Sequence, residues 1–158
     1  MEPDYHAVVA EHNFAQATLL VVEDNPDIWL IVSMMLRRHL PEVSVKHVVN
    51  AHQALEYLDQ NLSDKGLLPK LILHNLYLPL LIDGLDSLEA IRTKLLECHC
   101  QQIPILVMSS STDPEDIRRA YSSGASGFYL KPLTAAEWST YFERLRMFWW
   151  ETIMLPLA

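Results

Sequence analysis

Several polar side chains capable of chemistry stand just where short apolar runs end. Glu23 and Asp24 follow TLLVV, Asn75 closes LILHN, Ser109 follows ILVM, and Lys131 with Pro132 follows GFYL. Adjacent acids can hold a hard cation such as Mg²⁺, which prefers oxygen ligands and keeps several waters. A hydroxyl and an ammonium arriving from neighbouring segments can hold the oxygens of a phosphoryl group. Each feature alone has an ordinary explanation, since acid pairs are commonly solvated, Ser109-Ser110-Ser111-Thr112 reads as a turn, and a Lys-Pro step often ends a strand. Four such ends in order along one chain point instead to a single pocket.

The elements that must position these groups follow from the pattern. Thr18 to Glu23 is a β-branched run, and Asn25-Pro26-Asp27 then supplies a helix cap and first turn. Ile28 to Leu40 continues at helical spacing until Pro41 stops it. Val43 to Val49 reads as a second strand, and Asn50 opens a helix with Ala54, Leu55 and Leu58 on one stripe. Leu71 to Leu76 is almost continuously apolar, as a strand covered on both faces must be. A helix from about Leu85 to Leu96 and a fourth strand from Ile103 to Met108 come next. Asp113-Pro114-Glu115-Asp116 starts another helix with acids where the dipole favours them. Phe128 to Leu130 is a short fifth strand, and Thr134 with Glu137 makes a capping box for a last helix running through Trp150. Five strands alternating with five helices predict a doubly wound α/β fold with a parallel sheet and right-handed crossovers. In such sheets ligands bind at the carboxyl ends of the strands, where the polar residues above lie.

Bulk properties narrow the function further. A chain of 158 residues suits one domain with a real core. Its net charge of -8 and the lack of any basic cluster longer than Arg37-Arg38 argue against nucleic acid as a partner. No apolar run approaches the ~20 residues needed to cross a bilayer, and the N-terminus does not read as a signal peptide, so no membrane association and a cytoplasmic location are expected. Cys98 and Cys100 flank His99, but a structural zinc site wants a second ligand pair, so these read as reduced thiols.

The segments VVEDNPD, LILHNLYLP, ILVMSSS and GASGFYLKP together resemble the receiver domain of two-component response regulators, over residues 18 to about 146. The resemblance implies a CheY-like, flavodoxin-like fold with strand order 2-1-3-4-5, a receiver domain over 17–147, an N-terminal extension over 1–16 and a C-terminal aromatic extension over 148–158. It further implies that Glu23, Asp24 and the backbone of Tyr77 hold Mg²⁺, that Ser109 and Phe128 are the switch residues, and that Lys131 contacts phosphate. Asn75 then stands where the family has its phosphate-accepting aspartate. A neutral amide is no competent nucleophile and removes a charge from the metal site, so Mg²⁺ binding is expected to be weak or absent. The loop Leu80-Leu81-Ile82-Asp83 is also one residue longer than usual, which bears on the Tyr77 ligand. His74 should point away from the pocket into the layer covering the sheet, because strand side chains alternate faces. The expected function is a non-enzymatic pseudo-receiver that binds a histidine kinase or other signalling protein. The alternatives are an ordinary receiver with an engineered Asp-to-Asn change and, from another class, a Mg²⁺-dependent phosphatase using Asp24.

Trp138, Tyr141, Phe142, Leu145, Phe148 and Trp149 recur at helical spacing and should cover the sheet, whereas Trp150 falls off that stripe. The ending FWWETIMLP is similar to that of single-domain regulators associated with bacterial phytochromes. Phe148, Trp149, Trp150 and Ile153 are thus expected to form a homodimer interface, with a tail folded back on its own domain as the alternative.

Overall fold

The computed structural model describes residues 1–157. Five parallel strands, β1 (Thr18–Val22), β2 (Ser44–Val48), β3 (Leu71–Asn75), β4 (Ile105–Ser109) and β5 (Gly127–Leu130), form one sheet in the order β2-β1-β3-β4-β5. Alternation along β1 sorts its side chains between the two faces. Leu20 and Val22 pack with Ile72, Leu88 and Ile91 on one side. Leu19 and Val21 pack with Leu71, Leu73, Trp138 and Phe142 on the other. Every residue of β3 and β4 is buried, as expected of strands flanked by neighbours and covered by helices on both faces.

The helices are α1 (Tyr5–Phe14), α2 (Pro26–His39), α3 (Ala51–Asn61), α4 (Leu81–Glu97), α5 (Pro114–Ser122) and α6 (Ala135–Leu145), the last running into a π-helical turn over Arg146–Trp150. Asn25 Oδ1 accepts from the Asp27 and Ile28 amides, and Thr134 and Glu137 form the anticipated capping box. α4 starts four residues before the predicted Leu85 because Asp83 accepts from the Leu80 amide and folds the longer loop into the helix's first turn.

Among the described residues, six α-helices replace the predicted five. The added one, α1, has no pronounced apolar stripe, and its most buried anchor is a polar side chain. Asn13 is fully buried. Its Nδ2 donates to the carbonyls of Trp150 (2.8 Å) and Ile153 (2.7 Å), and its Oδ1 accepts from the Leu155 amide (2.8 Å). Phe14 stacks on Trp150 with centroids 5.3 Å apart, and the Lys70 ammonium donates to the His12 and Asn13 carbonyls at the entrance to β3. The two terminal segments therefore clasp each other against the sheet, so the tail folds back on its own domain. Among the described residues, no helix is long and apolar enough to cross a membrane.

Candidate functional site

Glu23 directly follows β1, Asn75 ends β3, Ser109 ends β4 and Lys131 directly follows β5, so strand order alone places them side by side. The ladder continues into the site. The Leu76 amide donates to the Met108 carbonyl (3.0 Å), Lys131 to Ser109 (2.9 Å) and Glu23 to Val48 (3.0 Å). These bonds hold the loop starts in the register of the strands below.

Asn75 is at the centre. Its Nδ2 donates to Glu23 Oε1 (3.1 Å) and to the Tyr77 carbonyl (2.7 Å). Both neighbours are acceptors, which fixes the amide with its nitrogen towards them. The Asn25 amide also donates to Glu23 Oε1 (3.1 Å). Glu23, Asn75 and Ser109 are 1%, 4% and 1% exposed, so the polar floor of the site is buried. Glu23 Oε2 and Asn75 Oδ1 are buried without a hydrogen-bond partner. Burial pushes the Glu23 carboxyl up, opposed by the Lys131 charge and by the hydrogen bond from Asn25. Asp24 and Lys131 are half-buried at the rim.

Phe128 is half-buried beside the core and pairs with Val107 in the β4–β5 ladder. Ser109 Oγ accepts from the Ser111 amide (3.1 Å). His74 lies away from Asn75, with Nε2 against Ser87 Oγ of α4 at 2.8 Å. Full burial pushes its imidazole down to about 4, so it is neutral at neutral pH.

The side chains of three residues meet at the site in a way the sequence pattern did not foretell. The Tyr77 hydroxyl donates to Asp116 Oδ2 (2.9 Å), and Ser111 Oγ donates to the same oxygen (2.6 Å). Asp116 reads in sequence as a first-turn acid of α5, and Tyr77 is expected to act through its backbone carbonyl alone; only the tertiary fold brings their side chains together.

At the C-terminal end, Phe148 is half-exposed, and Trp149 and Ile153 are partly buried. Trp149 Nε1 donates to the Tyr129 hydroxyl (2.8 Å). Trp150 is 0% exposed, so it is a core residue of its own chain and not part of an exposed interface. Phe148, expected to cover the sheet, turns outward instead.

This fold and this corner define a receiver, and the chain belongs to the response regulator receiver domain family, which it matches over residues 19–143. It is 28% identical over 131 residues to the probable methanogenesis regulatory protein FilR2 of Methanothrix harundinacea, covering 83% of this chain and 82% of that protein. Its structure is similar to that of response regulator RPA3017, from red light signaling in R. palustris, with a TM-score of 0.76 and 26% identity over 90% of this chain and 99% of that one. The phosphorylated cyanobacterial phytochrome response regulator RcpA is equally similar, with a TM-score of 0.76, 26% identity and the same coverage. The chain is thus a receiver domain of two-component signalling, with the CheY-like fold of those neighbours.

Receiver domains bind Mg²⁺ or Mn²⁺ at their acidic corner. Here the oxygens facing that corner include Glu23 Oε1 and the Tyr77 carbonyl, and the Asn75 amide nitrogen already lies within hydrogen-bond distance of both. A cation bound to that pair would meet N–H groups aimed at the same oxygens. Glu23 Oε2 and Asn75 Oδ1, both buried without a partner, and the Asp24 carboxylate at the rim are the oxygens that would be left to hold one.

Proposed function

We propose that this chain is a pseudo-receiver: a non-enzymatic, cytoplasmic two-component module that acts by binding proteins and takes no phosphoryl group. Asn75 stands at the phosphoacceptor position. Glu23, Asp24 and the Tyr77 carbonyl are the remnant of the metal site, and Ser109, Phe128 and Lys131 are the remnant of the phosphate and switch site. The carrying observation is the pair of hydrogen bonds from Asn75 Nδ2. An aspartate oxygen in the same place would face two acceptors at 3.1 and 2.7 Å, which demands a cation or a proton between them. The amide satisfies both without either, and it is not a nucleophile. Mg²⁺ affinity is correspondingly weak, because only two formal carboxylate charges remain and Mg²⁺ gives up water reluctantly.

The test is intact-protein mass spectrometry after incubation with acetyl phosphate and Mg²⁺. The native chain should keep its mass, and Asn75→Asp should gain one phosphoryl group, since Glu23, Asp24, Ser109 and Lys131 are already assembled. Phosphate uptake by the native chain would overturn the reading. Failure of both chains would mean that the site has lost more than the nucleophile.

The partner is a histidine kinase or another signalling protein, and a second copy of this chain fits a particular groove. Between β5 and α6 lies an apolar recess of about 520 Å³ lined by Tyr129, Tyr141, Leu145 and Phe148, with Glu137 and Arg144 at its sides. Glu137 and Arg144 are two turns apart on α6. A two-fold axis between antiparallel α6 helices would therefore set Glu137 against the partner subunit's Arg144 and bury Phe148 from each side. Burying one such aromatic gains about 1.5–3 kcal/mol. Phe148→Glu should shift a dimer towards monomer in sedimentation velocity; a native chain that is monomeric at high concentration would sink the dimer. Truncation after Arg146 is a poor test, because it also strips Trp150 from the core.

A further inference from the structure

The hydrogen bonds around Asp116 join two loops that the backbone leaves independent. Tyr77 belongs to the β3–α4 loop, and its carbonyl accepts from Asn75 while its hydroxyl reaches across to Asp116 Oδ2 at 2.9 Å. Ser111 belongs to the β4–α5 loop and donates to the same oxygen at 2.6 Å, while its amide donates to Ser109 Oγ at 3.1 Å. Ser111 Oγ in turn accepts from the Asp113 amide at 3.2 Å, at the cap of α5. A continuous chain of bonds thus runs from Asn75 through Tyr77, Asp116 and Ser111 to Ser109. Its hub is a carboxylate only 8% exposed, where bonds to a charged acceptor are short and strong.

We propose that Tyr77, Asp116 and Ser111 form a latch that holds the β4–α5 loop and the first turn of α5 in one setting. The consequence, though not the latch, rests on the pseudo-receiver reading. With no phosphoryl group to draw the Ser109 hydroxyl inward, these three side chains set the position of α5, and the surface it presents to partners is always on display.

Hydrogen exchange by mass spectrometry on the full chain, without phosphodonor or metal, tests the latch separately from phosphorylation. Tyr77→Phe keeps the ring and removes only the donor. It should speed exchange in residues 110–117 about tenfold, the effect of losing one hydrogen bond to a charged acceptor, and leave β1 and α2 unchanged. Asp116→Ala should do at least as much, and the double variant should exchange no faster than Asp116→Ala alone, because Tyr77 then has nothing left to bond. If Asp116→Ala fails to fold, Ser111→Ala takes its place in the cycle, with less-than-additive effects expected. Unchanged exchange in Tyr77→Phe, speeding that extends equally to β1, or full additivity in the double variant would each overturn the latch.

Discussion

Gly84→Ala is expected to destabilise the protein by about 3 kcal/mol, the upper part of the usual range for forcing volume into a packed site. A Cβ at this position would lie 1.4 Å from the Leu76 carbonyl oxygen and 2.4 Å from its carbon. Both obstacles are backbone, so no side-chain rotation can relieve the clash. Either the first turn of α4 retreats or the segment after β3 shifts. The second movement would carry Tyr77 with it and disturb its carbonyl's bond from Asn75 (2.7 Å). Urea titration should therefore show a lower midpoint with an unchanged slope. A loss below about 0.5 kcal/mol, the scale of an ordinary surface change, would show that the extended loop yields freely and that close packing does not fix the site.

The register behind this contact was legible because it is written in side-chain type at successive positions. Leu71 to Leu76 allowed only a strand covered on both faces, and once the strands were ordered, Glu23, Asn75, Ser109 and Lys131 had to converge. His74 could be turned away from the pocket by alternation alone, and its bond to Ser87 agrees. What the sequence hid depends on single long-range partners. Asn13 has no periodic companions, and its acceptors lie more than 130 residues further on, so residues 1–16 read as featureless although Tyr5–Phe14 is helical. Asp116 is a plausible helix-start acid whether or not Tyr77 bonds to it. Trp150 misled for a geometric reason. The Glu151 amide donates to the Arg146 carbonyl and the Ile153 amide to the Phe148 carbonyl, both five residues back. The wider π turn rotates the chain relative to an α-helical wheel, bringing Trp150 inward and leaving Phe148 half outside.

That rotation leads to the second large effect: Trp150→Ala should cost about 4 kcal/mol, as for other large aromatics removed from a core. Trp150 is 0% exposed, stacks on Phe14, and packs in the same cluster as Trp138, Phe142 and Leu145. Its indole N–H has no acceptor, so packing and not a polar bond holds the ring. Asn13→Ala should also be costly, at about 2–3 kcal/mol, because it strands two tail carbonyls and one amide in a buried place. The two residues meet in one clasp, so the double variant should lose less than the sum of the singles. Phe148→Ala, at a half-exposed position, should cost the monomer under about 1 kcal/mol. Urea titrations of these variants at a concentration too low for association separate the two roles of the tail. A large loss at Trp150 with a small one at Phe148 assigns the first to the domain's own core and the second to its surface. Near-equal small losses would mean that Trp150 contributes to a partner contact and that the clasp with α1 contributes little to the fold.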